Sequence, residues 1–525
     1  MAPIRRLRKT RALKKIGEIK EGKEIVKQEP SNSLLSLKKT LSGAFGKSSD
    51  FRVIEGFING RAGILFYLES MINPKQMIKT TSKLFASKKD AQPFNTLDEF
   101  RSFSREIFGG VRCKSLKDDE SVSQAILNGS LVIVIEGLTE IVSFHMLNTE
   151  KRALAEPSTQ TVIRGPKDSF IEAVSTNISL IRRRIKNPKL TFEKFTIGKD
   201  TQTSVFIGYM DGIVNEKVLK ELKDRLNGIE VSAIFDSGNI EELITDKTFT
   251  FFPLALNTER PDSAAANIMD GKVAILVDGS PFALMVPAVF VNFFEISEDF
   301  YQPLYLGSFL RFIRYLSFMI ALITPSVYVG VLTYHQELLP TSFLLSIIAQ
   351  REGVPFPAVV EVLLMEITFE ILREAGIRMP KAVGQMVSIV GALVIGQAAA
   401  EAGIISNIMI IIMAITAIAN FVAPVYSFSS ASRLIRFLLI ISAAILGLYG
   451  VFLMLILMVA HLCSLRSFGI PYLSPLAPFI LEDQKDVFIR FPYWAMNNRP
   501  KYLESEKAIK ANPVASPSPP PMKGE

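Results

Sequence analysis

Four long runs without a charged side chain lie in the C-terminal half of this 525-residue chain. They are Tyr315–Thr333, Val383–Ala400, Ala402–Pro424 and Phe437–Ala460. A helix that crosses a lipid bilayer needs about 20 apolar residues, and each run meets or approaches that length. A purely soluble protein is therefore excluded. We predict an all-α, multi-span membrane domain over residues 301–465, because helices satisfy their own backbone hydrogen bonds in lipid.

The N-terminal half has a different pattern, in which short β-branched or aromatic runs alternate with polar helical stretches. This alternation is typical of an α/β fold. A repeat also occurs here: Leu65–Asn73 aligns with Ile207–Asn215, and Ile126–Gly137 aligns with Ile268–Gly279, both at an offset of 142 residues. Two separated segments that share one offset predict two tandem, related α/β subdomains, over residues 50–150 and 151–300.

The two ends of the chain are predicted to lie outside these regions. Residues 1–49 form a basic leader, with ten Lys or Arg among residues 1–27 and no apolar segment after them. It therefore lacks the pattern of a cleaved secretory signal, and we expect it to be disordered, either solvated or resting on anionic lipid. Residues 466–525 form a C-terminal tail, which is Pro-rich and disordered at its end.

The number of spans is left open by the sequence. Arg311 and Arg314 precede the first apolar run and favour the cytoplasmic side for that end, and Arg466 and Lys485 favour it for the C-terminus. Four spans satisfy both preferences. If the predicted helix 358–375 also crosses, the count is five and the C-terminus moves to the other side. We favour four spans, with helix 358–375 re-entrant or interfacial.

Helix 358–375 carries the most informative polar residues of the membrane half. Its charged stripe consists of Glu366, Glu370, Arg373 and Glu374, which share one helix face at three- and four-residue spacing. Ionisable groups in a membrane domain usually face a bundle interior or a water-filled cavity. A ring of such helices would form a pore wall that favours cations. Alternatively, the helix is interfacial, and its carboxylates face water or pair with Arg373 and Arg378.

Further candidates lie on and around the other apolar segments. Glu361 is off the stripe and is expected to face solvent or a partner. Gln397 and Asn420 interrupt apolar spans, so they either form interhelical hydrogen bonds or line a pore. The glycines expected to permit close helix packing are Gly384, Gly391 and Gly396.

No catalytic or metal-binding constellation is present in the sequence. The two cysteines, Cys113 and Cys463, and the three histidines are far apart, so neither a disulfide framework nor a zinc site is predicted. Without a nucleophile–base pair or a glycine-rich phosphate loop, we predict no enzyme activity and no cofactor. The Arg182–Arg184 run lacks interleaved aromatic residues, so nucleic acid is not expected to bind there. It is interpreted as a charged helix face that contacts a neighbouring subunit or solvent.

Ordered motifs run from about Asp50 to Arg499. In the soluble half they are Arg164-Gly165-Pro166, Arg182-Arg183-Arg184-Ile185, Thr258-Glu259-Arg260-Pro261-Asp262 and Val277-Asp278-Gly279-Ser280-Pro281. In the membrane half they are Glu352-Gly353-Val354-Pro355-Phe356-Pro357, Arg373-Glu374-Ala375-Gly376, Arg378-Met379-Pro380 and Ile395-Gly396-Gln397-Ala398. Taken together, they resemble the A subunit of the bacterial spore germination receptors, which respond to nutrient germinants.

The resemblance implies an integral protein of the spore inner membrane whose soluble N-terminal region is cytoplasmic. It implies a homo-oligomer in contact with membrane lipid, a transporter-like B subunit and a lipoprotein C subunit. The subunit would form a ligand-gated channel for monovalent cations; the alternative is a non-conducting scaffold that couples signals within the same receptor. The motif residues predicted to contact other soluble domains are Arg164, Arg182, Arg183, Arg184, Arg260 and Asp262.

Overall fold

The structure is a computed structural model, which describes residues 34–85, 94, 96–108, 111, 113–138, 141–147, 156–379 and 396–510. The leader up to residue 33, the end of the chain from residue 511 and most of the predicted span Val383–Ala400 lie outside these residues. The chain forms two compact units. The first contains Arg52–Tyr67 and Ile72–Asn148, and the second contains Ala44–Phe51, Leu68–Met71 and Thr149–Glu525.

The first unit is built around a five-stranded sheet. Its strands are β1 (Phe51–Ile58), β2 (Arg61–Leu68), β3 (Cys113–Leu116), β4 (Ser130–Ile135) and β5 (Ile141–His145). The strand order is β1-β2-β4-β5-β3, and the pairs β2–β4, β4–β5 and β3–β5 are antiparallel. The helices in this part of the chain are α1 (Leu34–Phe45), α2 (Pro74–Phe85), α3 (Leu97–Phe108) and α4 (Asp119–Leu127).

The second unit begins with another five-stranded sheet, which we call the second module (residues 156–300). Its strands are β6 (Leu190–Ile197), β7 (Thr203–Met210), β8 (Leu256–Thr258), β9 (Val273–Val277) and β10 (Ala283–Val286). The strand order is β6-β7-β9-β10-β8. The helices are α5 (Val174–Arg184), α6 (Glu216–Asn227), α7 (Ser237–Ile244) and α8 (Pro261–Asp270).

The two sheets repeat one another in strand order and in register. Leu65 pairs with Ile133 in the first sheet, and Ile207 pairs with Ile275 in the second, so each partner recurs 142 positions later. Since a slip of one residue would turn every side chain to the opposite face, a shared register means a shared burial pattern. The sequence repeat is therefore also a structural repeat, whereas the boundaries at residues 150 and 300 stay predictions.

The rest of the second unit is helical. Its helices are α9 (Leu304–Tyr334), α10 (Thr341–Arg351), α11 (Ala358–Arg378), α12 (Asn407–Phe421) and α13 (Tyr426–Ser464). Within the described ranges, α9 and α13 are long and apolar enough to cross a membrane, and α12 is a shorter apolar helix. Three of the four predicted apolar runs therefore coincide with helices.

Helix α13 is folded back on itself at Gly447, which corrects the prediction of one continuous span over Phe437–Ala460. Gly447 has non-helical dihedral angles, φ 62° and ψ −146°. The ring of Phe252 lies 6.1 Å from that of Phe428 and 6.5 Å from that of His461, whereas a straight helix would separate these two residues by about 50 Å. The helix is thus a hairpin with an outgoing limb (residues 426–446) and a returning limb (residues 448–464).

Helix α11 buries one face of its first half against the neighbouring helices and runs antiparallel to α9. The carboxylate of Glu361 accepts a hydrogen bond from Ser406, whose hydroxyl lies 3.3 Å from that of Tyr328. One and a half turns later, Glu366 pairs with Arg436, which donates to the carbonyl of Ala321. Rising numbers on α11 thus match falling numbers on α9. The first half of α11 is partly buried and its second half is largely exposed, and the predicted re-entrant or interfacial placement of helix 358–375 stays a prediction.

Both ends of the helical bundle meet the second module. Helix α9 starts directly after the module, and residues 466–510 return to it: Ser467 donates to the carbonyl of Leu254 (2.8 Å) and Arg499 to that of Met269 (2.9 Å). The tyrosine side chain of Tyr472 is fully buried. The predicted tail is therefore a packed segment as far as residue 510. Any membrane crossed by the bundle must therefore be crossed an even number of times. The α13 hairpin contributes an even number by itself, so whether helix 358–375 crosses stays a prediction.

Candidate functional site

A buried ionic cluster joins the second module to the first long helix. Asp299 lies in the 3₁₀ turn Ser297–Phe300, and its carboxylate accepts hydrogen bonds from Arg311 (3.1 Å) and Arg314 (3.0 Å), one turn apart on α9. All three side chains are buried. A buried carboxylate is stable only when its charge is compensated, so the start of α9 is held firmly to the module.

The C-terminal segment contributes to the same cluster. Arg311 also donates to the carboxylate of Asp486 (2.6 Å), and Arg490 donates to the backbone carbonyl of Asp299 (2.7 Å). Burial raises the pKa of Asp486, although the charge of Arg311 opposes this shift. The sequence predicted Arg311 and Arg314 only as a positive flank of the first span. The structure shows that they connect the module, helix α9 and the C-terminal segment, and we call this group the junction cluster.

Two of the residues predicted to contact another subunit, Arg260 and Asp262, are buried within the second module. Arg260 donates to Asp262 (2.7 Å), which also accepts a hydrogen bond from Tyr301 (2.8 Å). Because Arg260 and Asp262 are buried and bound within the chain, they are not available as interface side chains, and that prediction is wrong for them. Arg164 is exposed, and its backbone N–H donates to Glu298 (3.2 Å).

The arginine run on α5 also differs from its predicted role. Arg182 is buried and donates two hydrogen bonds to Asp50 (2.8 and 2.7 Å), a residue of the same compact unit. Arg184 donates to Asp168 (2.6 Å) and is half-buried. The run is therefore not a uniformly exposed charged face, because two of its three guanidinium groups bind acids of their own chain. Only Arg183 is exposed, and its interface role stays a prediction.

The Asp50–Arg182 pair makes stability depend on pH. Burial alone raises the pKa of Asp50, but the charge of Arg182 and the hydroxyls of Ser48 and Ser70 outweigh burial and hold the pKa below its ordinary value. A carboxyl with a lowered folded-state pKa stabilises the fold above its unfolded pKa, about 4 for Asp. That contribution is lost as the pH falls through the folded-state pKa.

We therefore expect Asp50→Asn to destabilise the full-length, detergent-solubilised protein by about 3 kcal/mol at pH 7, since Arg182 loses its counter-charge. The difference between the parent and the variant should be smaller at pH 3, because the carboxyl of Asp50 takes up a proton more readily in the unfolded chain than in the folded one below about pH 4. Thermal unfolding at both pH values measures it. An equal difference at pH 7 and pH 3 would contradict the assignment.

The residues of the charged stripe on α11 differ in exposure and in their ion-pair partners. Glu366 is buried and pairs with Arg436 of the hairpin (2.9 Å). Glu370 pairs with Arg373 on its own helix and lies 3.4 Å from Arg433. Glu374 is exposed and pairs with Arg378 (2.6 Å). The stripe thus runs from the bundle interior to its surface.

Glu361 corrects the prediction that it faces solvent or a partner. Its side chain is buried, and its carboxylate accepts hydrogen bonds from Arg351 (2.9 Å) and from the hydroxyl of Ser406 (2.9 Å). The sequence interpretation missed its partner Arg351 and the two arginines of the hairpin. A detectable signal existed for the latter, since Arg433 and Arg436 stand three residues apart directly before an uncharged run.

Among the described residues, the acids of helix α11 are matched by arginines. Three acids, Glu361, Glu366 and Glu370, form ion pairs with four bases, Arg351, Arg373, Arg433 and Arg436. The acidic stripe taken alone suggested a pore wall that attracts cations. With the arginine partners included, that argument for cation selectivity no longer holds.

The remaining predicted membrane residues that the structure describes make only local hydrogen bonds or ordinary packing contacts. The amide of Gln397 donates to Glu401 four residues later (2.9 Å), and the backbone carbonyl of Asn420 accepts from Ser429 (3.4 Å). A Cβ added at Gly396 would meet Ile410 at 3.6 Å, an ordinary contact. Gly384 and Gly391 lie outside the described residues. Across the described ranges, no group of three His, Cys, Asp or Glu could hold a metal ion.

Comparisons with known proteins agree on one family. The family model described as "Bacillus/Clostridium GerA spore germination protein" matches residues 39–502. The chain is 49% identical to spore germination protein KA of Bacillus subtilis (strain 168) over 79% of this chain and 76% of that protein. It is 40% identical to spore germination protein GerLA of Bacillus cereus, over 91% and 97%.

A solved structure is also similar in sequence. It is the crystal structure of the N-terminal domain of the A subunit of the Bacillus megaterium spore germinant receptor GerK3, which is 31% identical and covers 50% of this chain and 96% of that domain, with a TM-score of 0.39. The extent of the family match and the identities to full-length relatives show that this chain belongs to the GerA family of spore germination proteins.

Proposed function

We propose that this chain is the membrane-embedded A subunit of a nutrient-responsive germination receptor, and that its helical bundle supplies an ion pathway that opens on nutrient sensing. Relatives named as spore germination proteins support the receptor role. The observation that carries the ion pathway is the Glu366–Arg436 pair, buried among apolar helices. Ionisable groups are costly in a membrane, and they commonly mark ion or proton routes.

In this proposal the bundle crosses the spore inner membrane several times, and the α/β region and the C-terminal segment share the cytoplasmic side. The subunit acts as a homo-oligomer with a transporter-like B subunit, a lipoprotein C subunit and surrounding lipid. The junction cluster would transmit force between the second module and helix α9, since Asp299 belongs to the former and Arg311 and Arg314 to the latter.

A non-conducting, signal-coupling subunit is the second candidate function. It is favoured by the pairing of the bundle charges within one chain, for example Glu361 with Arg351 and Glu366 with Arg436. Paired charges of this kind can fix the register of helices without contact to a permeating ion.

The two candidates differ in the expected effect of Glu366→Gln combined with Arg436→Gln. The double change removes both charges, so neither is left buried alone. If the pair lines an ion pathway, the K⁺/Cl⁻ permeability ratio should change about threefold or more, because wall charges set selectivity. The measurement uses the full-length protein in planar bilayers, with the B and C subunits and nutrient present.

The matched control is Glu374→Gln combined with Arg378→Gln, the exposed pair on the same helix. It should leave the permeability ratio unchanged. No current under any of these conditions would contradict the ion pathway. If current flows and the buried double variant changes only assembly or nutrient response, the coupling function is favoured.

A further inference from the structure

A loop of the second module exposes two aromatic rings beside the helical bundle. Phe249 is 92% exposed and Phe251 is 50% exposed. Their neighbours point the other way: the hydroxyl of Thr250 lies 3.0 Å from Nε2 of His461, and the buried ring of Phe252 lies 6.1 Å from that of Phe428. Residues 246–252, which we call the Phe loop, therefore present two rings outward, while Thr250 and Phe252 contact the bundle.

The contact with His461 fixes the level of the Phe loop along the bundle. His461 directly follows the uncharged run Phe437–Ala460, and it lies near the end of the returning limb of α13. The Phe loop thus lies level with the end of the uncharged run of α13, where polar residues begin. Lys247 is exposed in the same loop.

Other helices expose aromatic rings at this end of the bundle. Phe309 and Phe312 are more than half exposed, and they flank Arg311 of the junction cluster. Tyr426 is also more than half exposed, and it begins the outgoing limb two residues before Phe428. Aromatic residues are enriched where a protein passes from lipid to water. The exposed rings of the Phe loop therefore extend this group of exposed aromatic residues, Phe309, Phe312 and Tyr426, onto the second module.

We propose that the Phe loop inserts Phe249 and Phe251 into the interface of the bilayer that the bundle crosses, with Lys247 directed at lipid phosphates. The inference rests on the proposed membrane location of the bundle. Its occupant is a phospholipid surface, because the loop is continuous with apolar helix ends and carries a cation beside its rings. The second module would then be held to the membrane directly, in addition to its covalent link through α9.

The test measures contact between the loop and lipid in the full-length protein. Trp494, the single tryptophan of the chain, is replaced by Phe, and Phe249→Trp supplies the reporter. The protein is placed in nanodiscs of phosphatidylcholine and phosphatidylglycerol, with or without bromine on the upper acyl carbons. Shallow bromolipid should reduce the fluorescence of the Phe249→Trp reporter by roughly half, as expected for a ring at the interface.

Two reporters in the same background serve as controls. Phe235 is 75% exposed but lies beside Gly279, at the other end of strand β9, about 20 Å from the bundle end of that strand. Phe235→Trp should not be quenched. Phe452, exposed on the returning limb of α13, reports on the bundle itself, and Phe452→Trp should be quenched by bromine deeper in the acyl chain.

The outcomes separate this inference from the proposed membrane location. Quenching of the Phe249 and Phe452 reporters, without quenching at Phe235, supports it. Quenching at Phe452 alone overturns the lipid contact and leaves the membrane location intact. A blue-shifted but unquenched Phe249 reporter also overturns it, because protein would then cover the loop. If neither Phe249 nor Phe452 is quenched, the membrane location fails as well.

Discussion

Replacing Asp299 with alanine is expected to lower the stability of the protein by about 3–5 kcal/mol, the usual result of removing one partner of a buried ion pair. Arg311 and Arg314 would keep their charges in a buried setting, and Arg311 would retain its ion pair with Asp486. Thermal unfolding of the detergent-solubilised, full-length protein measures the change.

Asp168→Ala provides the matched control. Asp168 also forms a short ion pair, with Arg184, but the two side chains are 22% and 23% exposed. Water can solvate the arginine left behind, so the control should cost about 1 kcal/mol or less. A second variant, Asp299→Asn, keeps a hydrogen-bond acceptor and should fall between the two. If Asp299→Ala lowers the free energy of unfolding no more than Asp168→Ala does, the junction cluster does not hold α9 to the second module.

Gly447→Ala is expected to disrupt the hairpin of α13, at a cost of about 3 kcal/mol or more, because the dihedral angles at this position are essentially restricted to glycine. Space is lacking too: a Cβ on Gly447 would lie 2.7 Å from Cε1 of His335 and 2.9 Å from Cβ of Tyr334. The expected result is a lower unfolding temperature and a smaller yield of monodisperse protein in size-exclusion chromatography.

Gly396→Ala is the control for the hairpin prediction. Gly396 lies in a helical stretch, and an added Cβ would make only an ordinary 3.6 Å contact with Ile410. Alanine favours helix over glycine by about 1 kcal/mol, so this variant should be neutral or slightly more stable. If Gly447→Ala lowers the unfolding temperature no more than Gly396→Ala does, the hairpin of α13 does not depend on glycine at this position.

The α/β half of the fold was largely predictable from the sequence. The 142-residue repeat appears again in the strand order and in the register of Leu65 and Ile207, because the pattern of buried residues in a strand is local. The family resemblance is confirmed by the match over residues 39–502. The strand order itself was not predicted, since partners such as β3 and β5 are joined by long-range pairing.

The helical half shows what residue spacing cannot reveal. The four-residue spacing correctly grouped Glu366 and Glu370 on one face, yet their partners Arg436 and Arg433 lie more than 60 positions later. Gly447 is one of two glycines inside an uncharged run, and hydropathy does not distinguish one long helix from two short limbs. Glu361 can be buried because Ser406 and Arg351 donate hydrogen bonds to its carboxylate. Ser406 is 45 positions away in the sequence, so its contact with Glu361 depends on the tertiary fold.

The packing of the C-terminal segment has a consequence for biogenesis. Phe468, Ile470 and Leu503 belong to the same apolar core as strands β7 and β9, although the whole helical bundle separates them in the chain. While the chain is being made, that core cannot be completed until the last of these residues leaves the ribosome. At about 5–20 residues per second, the wait after Val286 is roughly 10 to 40 s. In the proposed membrane location, insertion of the bundle would precede the final packing of the second module, and truncation before residue 503 should leave that core incomplete.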